Sequence, residues 1–359
     1  MTNLPFNGPL YIQKQTQAIL DRLEQSSLLY LEVGGHFLVD GHASRVLPGY
    51  IPDSKTQIFK NLAQHSDLSV IFCINAKDVV RDRQFSQKYL SFEKYLFNEL
   101  ESIRKNLPSL TGILGQAEGL GVRVCITMLD RDFIPPHVRE LEAKLHEKYD
   151  TYHKYMIDGY PNNTDLILSN NGYGKDDYIP SGTGGKVGIT LVSACGSNSG
   201  KFTCLSQLYL DHTITNSSYA KFETFPIRNR DLHHPTNLAY EAATADIGDY
   251  NIIDPYYLHS KEGSGEIVTQ SINYNRDVEA FEILKNFQET LGIVIAHSPT
   301  EMINTAGFCI NNDKDTQNKL SDAARVEIQS RIETFTKLLN SGHGEEEAVT
   351  RCQKLLKIF

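Results

Sequence analysis

The chain has 359 residues, of which 40% are hydrophobic and 22% charged, and its formal net charge is −9. That is enough length for more than one small domain, and the composition is that of an ordinary globular protein. An acidic balance, with a pI near 5.7, argues against an extended nucleic-acid surface.

No apolar run approaches the length of a membrane span. The opening stretch MTNLPFNGPLYIQKQTQ lacks the continuous apolar core of a signal peptide. The six cysteines, Cys73, Cys125, Cys195, Cys204, Cys309 and Cys352, are scattered, with no metal-finger or redox spacing. A reducing, cytoplasmic setting without membrane partners is expected.

In chain order, Ile12–Glu24 carries a helical apolar period, and Leu28–Val33 is a short strand ending at Gly34-Gly35. Asp53–Gln64 is expected as a helix, Leu68–Ile74 as a buried strand and Tyr89–Lys105 as an amphipathic helix. Val122–Leu129 is a third strand, and Pro135-Pro136 opens a helix running to about Tyr149. Strands alternating with helices predict an α/β fold: a mostly parallel sheet in three layers, Rossmann-like or P-loop-like.

Residues 158–185 are rich in Gly, Asn, Asp and Pro and read as a linker, a ligand-covering loop or a subdomain boundary. Beyond them, Val187–Val192 is a strand and a helix resumes at Lys201. Tyr219–Phe225 and Ser264–Tyr274 are expected strands, while Asn237–Ala245 and Asp277–Leu291 are expected helices. Asp315–Phe359 shows two helical periods separated by Ser341-Gly342-His343-Gly344. The expected division is an α/β core over 1–310 and a helical region over 311–359.

Strand, glycine-bearing turn, lysine, hydroxyl and helix form the order of a phosphate-cradling loop. In this reading Gly196, Ser197, Asn198, Ser199, Gly200 and Lys201 bind phosphate, and Thr203 or Ser199 helps place Mg²⁺. The pattern departs from a P-loop in two places. Cys195 stands where the first glycine belongs, and Phe202 separates Lys201 from Thr203. A bland glycine-bearing turn with an exposed lysine is the competing explanation.

A magnesium site also needs a strand-end carboxylate. Glu223 and Asp254 are preferred to Asp130, because they follow the loop in chain order. Gly34, Gly35, His36, Asp40, His42 and Arg45 follow a strand end, where ligands of parallel sheets sit. Arg45 is aimed at a phosphate or carboxylate by its fork of donors. The stretch from Arg228 to Asp254 holds His233, His234, Glu241 and Asp246. The histidines are expected as phosphate contacts or acid/base groups. Zinc is less favoured, since the spacing fits no helical zinc motif. A helix cap at His234-Pro235-Thr236-Asn237 explains part of the same stretch. Asn275 or Asp277, and Ser298-Pro299 with Glu301, also read as helix starts, with Arg276 a secondary site residue.

Eight blocks carry a resemblance: LYLEVGG (29–35), RVLPGY (45–50), GKDDYI (174–179), GSNSGK (196–201), YAKFETFP (219–226), LHHPTNLAYEAATAD (232–246), INYNRD (272–277) and SPTEM (298–302). Through them the chain resembles an uncharacterised bacterial family that carries a domain-of-unknown-function label. Some of its members have been described as ATP-dependent or zinc proteases. The family pattern has a glycine where Asn198 stands, and its members generally continue into a further C-terminal α/β domain. The resemblance implies no reaction.

The residues favour a nucleotide-dependent enzyme using ATP or GTP with Mg²⁺, an NTPase or a phosphoryl or nucleotidyl transferase. Its second substrate would be a small molecule or a protein, and an oligomer is compatible with the composition. The alternatives are a non-catalytic nucleotide-binding or regulatory module, and a metal-dependent hydrolase built on His233, His234 and Glu241.

Overall fold

The computed structural model describes residues 4–82, 91–107, 121–181, 187–195, 199–225, 227, 230–261, 271–293 and 295–359. Helix α1 (Gly8–Leu23) leads into β1 (Leu28–Val33), and α2 (Ala43–Val46) and α3 (Ser54–Leu62) lead on to β2 (Asp67–Asn75). Helices α4 (Ala76–Val80) and α5 (Phe92–Asn106) precede β3 (Val122–Leu129), and α6 (Pro136–His146) precedes β4 (Thr151–Tyr155). A long excursion containing α7 (Thr164–Ile167) comes before β5 (Gly188–Cys195), which is followed by α8 (Ser199–Asp211) and β6 (Ser217–Phe222). The remainder runs α9 (Pro235–Ala243), β7 (Asn251–Ile253), α10 (Pro255–Lys261), β8 (Ile272–Tyr274), α11 (Asn275–Glu279) and α12 (Phe281–Leu291). It closes with α13 (Lys314–Asn340) and α14 (Glu346–Leu356).

The main sheet has six strands in the order β4-β3-β2-β5-β1-β6, and every pairing is parallel. Its strands are apolar on both faces, as a sheet covered on both sides requires. Leu29, Leu31, Val33, Ile189, Leu191 and Phe222 meet α1, α3, α5 and α6 in one core. Leu28, Tyr30, Val192 and Tyr219 meet α8 and α12 in a second. This is the three-layer α/β arrangement that the alternation predicted. β7 and β8 form a separate antiparallel pair.

The chain leaves β1 for α3 on the first face and leaves β5 for α8 on the second. β1 and β5 are neighbours, so their carboxyl ends flank the point where the winding reverses. Crevices in open α/β sheets form at that point.

Three features differ from the sequence reading. β4 (sequence TYHKY) is an edge strand without an apolar alternation, which is why periodicity overlooks it. The stretch expected as a linker or covering loop is folded onto the sheet over its described part, with Ile167, Tyr173 and Ile179 fully buried in the second core. The expected strand Ser264–Tyr274 is seen over Ile272–Tyr274, since residues 262–270 lie outside the described residues. α13 and α14 pack with α9 around a third apolar cluster that includes Leu238, Ile328, Phe335 and Cys352. α13 also gives Leu320 and Ala324 to the first core. All six cysteines are buried and unbridged.

Candidate functional site

A cleft of about 720 Å³ opens at the carboxyl ends of β1, β2, β5 and β6. Strand β1 delivers Glu32 and the turn Gly34-Gly35 to it. β5 delivers Ser193, Ala194 and Cys195, and α8 delivers Gly200 and Lys201. β6 adds Lys221 and Glu223, and α11 adds Arg276 and Asp277. Eight carboxylates (Glu32, Asp40, Glu99, Glu223, Asp246, Asp249, Asp277 and Glu279) line it among the described residues, against Lys201, Lys221 and Arg276.

The centre of the cleft on the α8 side is a chain of charges. Lys201, in the first turn of α8, donates to one oxygen of Asp277. Lys221 donates to the other at 2.6 Å and lies 3.4 Å from Glu223 Oε2. Burial opposes the charge of Asp277, but the two lysines outweigh it and hold the carboxyl well below its usual range. Burial likewise opposes the charge of Lys221, and Asp277, Glu223 and Glu32 outweigh it, pushing the ammonium up. Glu223 behaves differently. Burial raises it to about 7, against the pull of Lys221 and Lys55 and with Asp277 and Asp40 adding to the rise. Tyr219, fully packed in the second core, donates its hydroxyl to Glu32.

The turn after β1 is built around a buried lysine. Lys55 Nζ donates to the carbonyls of Gly34 (2.5 Å) and His36 (2.9 Å) and lies 3.5 Å from Asp40 Oδ2. Asp40 accepts from the N–H groups of His42 (3.0 Å) and Ala43 (2.8 Å). Its burial is outweighed by Lys55, His42 and the Ala43 N–H, and the carboxyl falls to about 2. Gly35 adopts φ +65°, in the left-handed region that glycine enters without strain. Gly34 has a steric reason instead: a Cβ there would lie 1.8 Å from Glu223 Oε2. The close approach to the Gly34 backbone is made by the protein's own carboxylate.

The residues singled out in the sequence divide into those that meet in the cleft and those that do not. Gly34, Gly35, Gly200, Lys201 and Glu223 meet there, with His36, Asp40, His42, Asp246 and Arg276. Gly196, Ser197 and Asn198 lie outside the described residues. The expectation for Thr203 is corrected: it is fully buried against the sheet, accepting from Cys73 Sγ at 3.3 Å. Ser199 is also buried, with its hydroxyl 2.6 Å from that of Thr127. Both hydroxyls are used in packing the helix to the strands.

Asp254 is corrected too. Its carboxylate accepts from the Thr300 N–H (2.8 Å) and hydroxyl (2.5 Å) and from the N–H groups of Tyr256 (3.0 Å) and Tyr257 (3.2 Å), as a cap of α10. Arg45 turns away from the cleft and forms a two-pronged pair with Glu327 of α13, at 2.7 and 2.9 Å. Asp130 is exposed and accepts from the Asp132 N–H at 2.9 Å.

The histidine pair also departs from expectation. His234 caps α9 by accepting from the Thr236 N–H at 3.3 Å, and burial lowers its imidazole to about 4. His233 is exposed, and Glu241 accepts from the Asn251 N–H at 3.2 Å. Among the described residues no three His, Cys, Asp or Glu side chains converge as a metal-ligand set. The hydrolase built on His233, His234 and Glu241 therefore has no assembled centre there. Asn237 binds Ile227 N–H and the Asp231 carbonyl within the loop, leaving the cap to its neighbour.

Lys221, Asp277, Ser193 and Glu32 line the cleft, yet sequence reasoning gave none of them a role there. The clue for Lys221 was its position two residues before Glu223 on one strand, which places both at the same sheet end.

Comparison with known proteins adds the lineage. Residues 4–359 match the N-terminal part of a family described as domain of unknown function DUF1846. Among curated relatives, a UPF0371 protein of Streptococcus equi subsp. equi is 37% identical over 336 residues, covering 92% of this chain and 62% of its own length. A UPF0371 protein of Corynebacterium urealyticum is 38% identical over 333 residues, covering 91% and 61%. One from Streptococcus pneumoniae is 37% identical over 320 residues, covering 88% and 60%. The chain thus spans about three fifths of the length of the curated relatives it matches. Among the described residues no helix is long and apolar enough to cross a membrane. With a match over nearly its whole length, the chain belongs to the bacterial DUF1846 (UPF0371) family.

Proposed function

We propose that the cleft binds a phosphorylated small molecule, a nucleotide such as ATP or GTP in the reading the residues favour, with its anionic end at Lys201. The observation that carries this is the placement of Lys201. It stands in the first turn of α8, beside Gly200, and faces a roomy cleft with charged residues in its lining, at the winding reversal of a parallel sheet. A helix start favours anions through its free N–H groups and its dipole. Asp277 holds Lys201 and Lys221 together, so an arriving phosphate meets two cations already positioned.

The acidic surplus of the cleft favours a ligand that arrives with a divalent cation. Mg²⁺ is commonly held by one or two carboxylates together with substrate phosphates, so it needs no ready-made ligand cage. Glu32, at the end of the strand beside β5, is the carboxylate best placed to take that part. A phosphoryl or nucleotidyl transferase, or an NTPase, is the reaction class this arrangement suits. A non-catalytic nucleotide-binding module would share the binding half of the reading.

Thermal shift with ATP and GTP, with and without Mg²⁺, tests it. The expected outcome is a rise in Tm of several degrees that disappears in Lys201→Ala. If neither nucleotide moves Tm under any condition, the reading fails. Phosphate release or label transfer then separates enzyme from module.

A further inference from the structure

We propose that the cleft has a second half, on the face of the sheet opposite Lys201, where Ser193, His36 and His42 receive the flat, hydroxyl-bearing part of the ligand. Side chains alternate across a strand. Val192 lies in the second core with α8, while Leu191 and Cys195 lie in the first. Ser193 therefore points to the first face, beside Val33 and Phe72, its register partners on β1 and β2. Glu32 and Lys221 point to the other face, toward α8. The cleft runs over the strand ends from one face to the other.

Ser193 is 1% exposed, and its hydroxyl has no hydrogen-bond partner among the described residues although it lines the cleft. Buried hydroxyls are nearly always paired, so an orphan on a cleft floor points to a group that arrives with the ligand. Packing alone would be better served by alanine at this position.

Farther along the same face, the rings of His36 and His42 stack with centroids 5.5 Å apart and planes 20° apart. His36 Nδ1 lies 3.2 Å from the hydroxyl of Tyr95 on α5. Burial lowers both imidazoles, His42 to about 4, so the pair is uncharged at neutral pH. Lys55 pairs with the Asp40 carboxylate beneath the rings, so this end offers an uncharged aromatic surface. Stacking on such a surface is how proteins hold a planar ring without reading a charge. The two halves ask for one molecule with an anionic end, a hydroxyl-bearing middle over Ser193, and a flat ring. That is a nucleoside phosphate rather than a sugar phosphate or free polyphosphate. The anionic end of this argument rests on the proposed function; Ser193 and the histidines do not.

Calorimetric titration of the wild type, Ser193→Ala and His42→Ala with ATP, tripolyphosphate and adenosine tests the assignment. ATP is expected to bind more tightly than tripolyphosphate. Each substitution should weaken ATP by roughly three- to tenfold, the scale of one lost hydrogen bond or one stacking contact, and leave tripolyphosphate unchanged. Ser193→Ala should also keep or raise Tm, which a structural serine would not do. Unchanged ATP affinity in both variants, or equal losses for ATP and tripolyphosphate, would overturn the second half while leaving the Lys201 reading intact. Binding of adenosine, weakened in both variants, without binding of either polyphosphate would keep the second half and remove the first. No binding of any probe overturns both.

Discussion

Two lysines on the same face of the sheet, Lys154 fully buried and Lys201 half-buried, show how differently an ammonium can be held. Lys154, on edge strand β4, is fully buried, and its ammonium donates to the Asp177 carbonyl (2.8 Å), Ser206 Oγ (2.9 Å) and Gln207 Oε1 (2.8 Å). An ammonium has three N–H donors, and all three are used. Lys201, earlier on α8 than Ser206, meets one carboxylate among the described residues, that of Asp277, and borders open volume. The first lysine fastens the excursion after β4 to the sheet. The second keeps donor capacity on the side of the cleft. The difference lies in the count of filled hydrogen bonds, since both are lysines near aspartates.

The comparison breaks most readily at Lys154. Lys154→Met removes the ammonium and leaves Asp176, which is 7% exposed and already raised by burial, without its nearest cation. Breaking a buried charge arrangement costs about 3–5 kcal/mol. Urea unfolding should show a loss on that scale, with α8 and the 158–181 excursion loosened in hydrogen exchange. Lys201→Met should cost less, because Lys221 remains on Asp277. Equal costs for the two would remove the distinction.

The same contrast explains what could be read from sequence. Five of the six sheet strands, all but the edge strand β4, were legible because a parallel sheet buries both faces, so runs such as Leu28–Val33 and Val122–Leu129 are largely apolar. The break between the last two helices was legible from Ser341-Gly342-His343-Gly344, where Gly342 has φ +79°. Lys201 was legible because strand, glycine and lysine form a local pattern. Asp277 and Lys221 were not, since their pairing joins residues 56 positions apart. Composition likewise cannot tell that Asp254 spends its oxygens on capping and Thr300 while Glu223 meets Lys221 and borders the cleft. Ser193 is hidden for a different reason: its distinction is a missing partner, which exists only in three dimensions.

A second way to sharpen the comparison is through pH. Glu223 faces Lys221 on its own strand, Lys55 on α3, Asp277 on α11 and Asp40 in the turn after β1. Tyr11, Tyr240 and Tyr274 close the remaining sides. Its folded value of about 7 lies above the ordinary 4.5, so between these limits the folded state holds a proton that the unfolded chain has lost. A raised value contributes stability that is complete below the unfolded pKa and is lost as pH climbs through the folded one. The wild type should therefore lose stability relative to Glu223→Gln as pH rises from about 4.5 to 7, by on the order of 3 kcal/mol, and run parallel to it above that window. Parallel curves throughout would mean that Lys221 and Lys55 hold Glu223 ionised, making it as settled as Lys154.

The smallest expected effect concerns Gly34, where the Glu223 carboxylate meets the backbone. A methyl group there would lie 1.8 Å from Glu223 Oε2 and 2.4 Å from its Cδ, so one of the two must move. The neighbouring Gly34 carbonyl is held by Lys55, and the Gly34 N–H donates to the Phe222 carbonyl at 2.9 Å, which fixes the backbone on both sides. The side chain of Glu223 is then the part that yields, away from Lys221. Gly34→Ala should cost about 1–3 kcal/mol, the usual scale of overpacking. Because the clash is with one side chain, Glu223→Ala should relieve most of it, and the double variant should be no less stable than Glu223→Ala alone. A double-mutant cycle by urea unfolding measures this as a coupling of about the same size as the Gly34→Ala cost. Additive losses would place the strain in the backbone after β1 and free Glu223 from any part in choosing glycine at position 34.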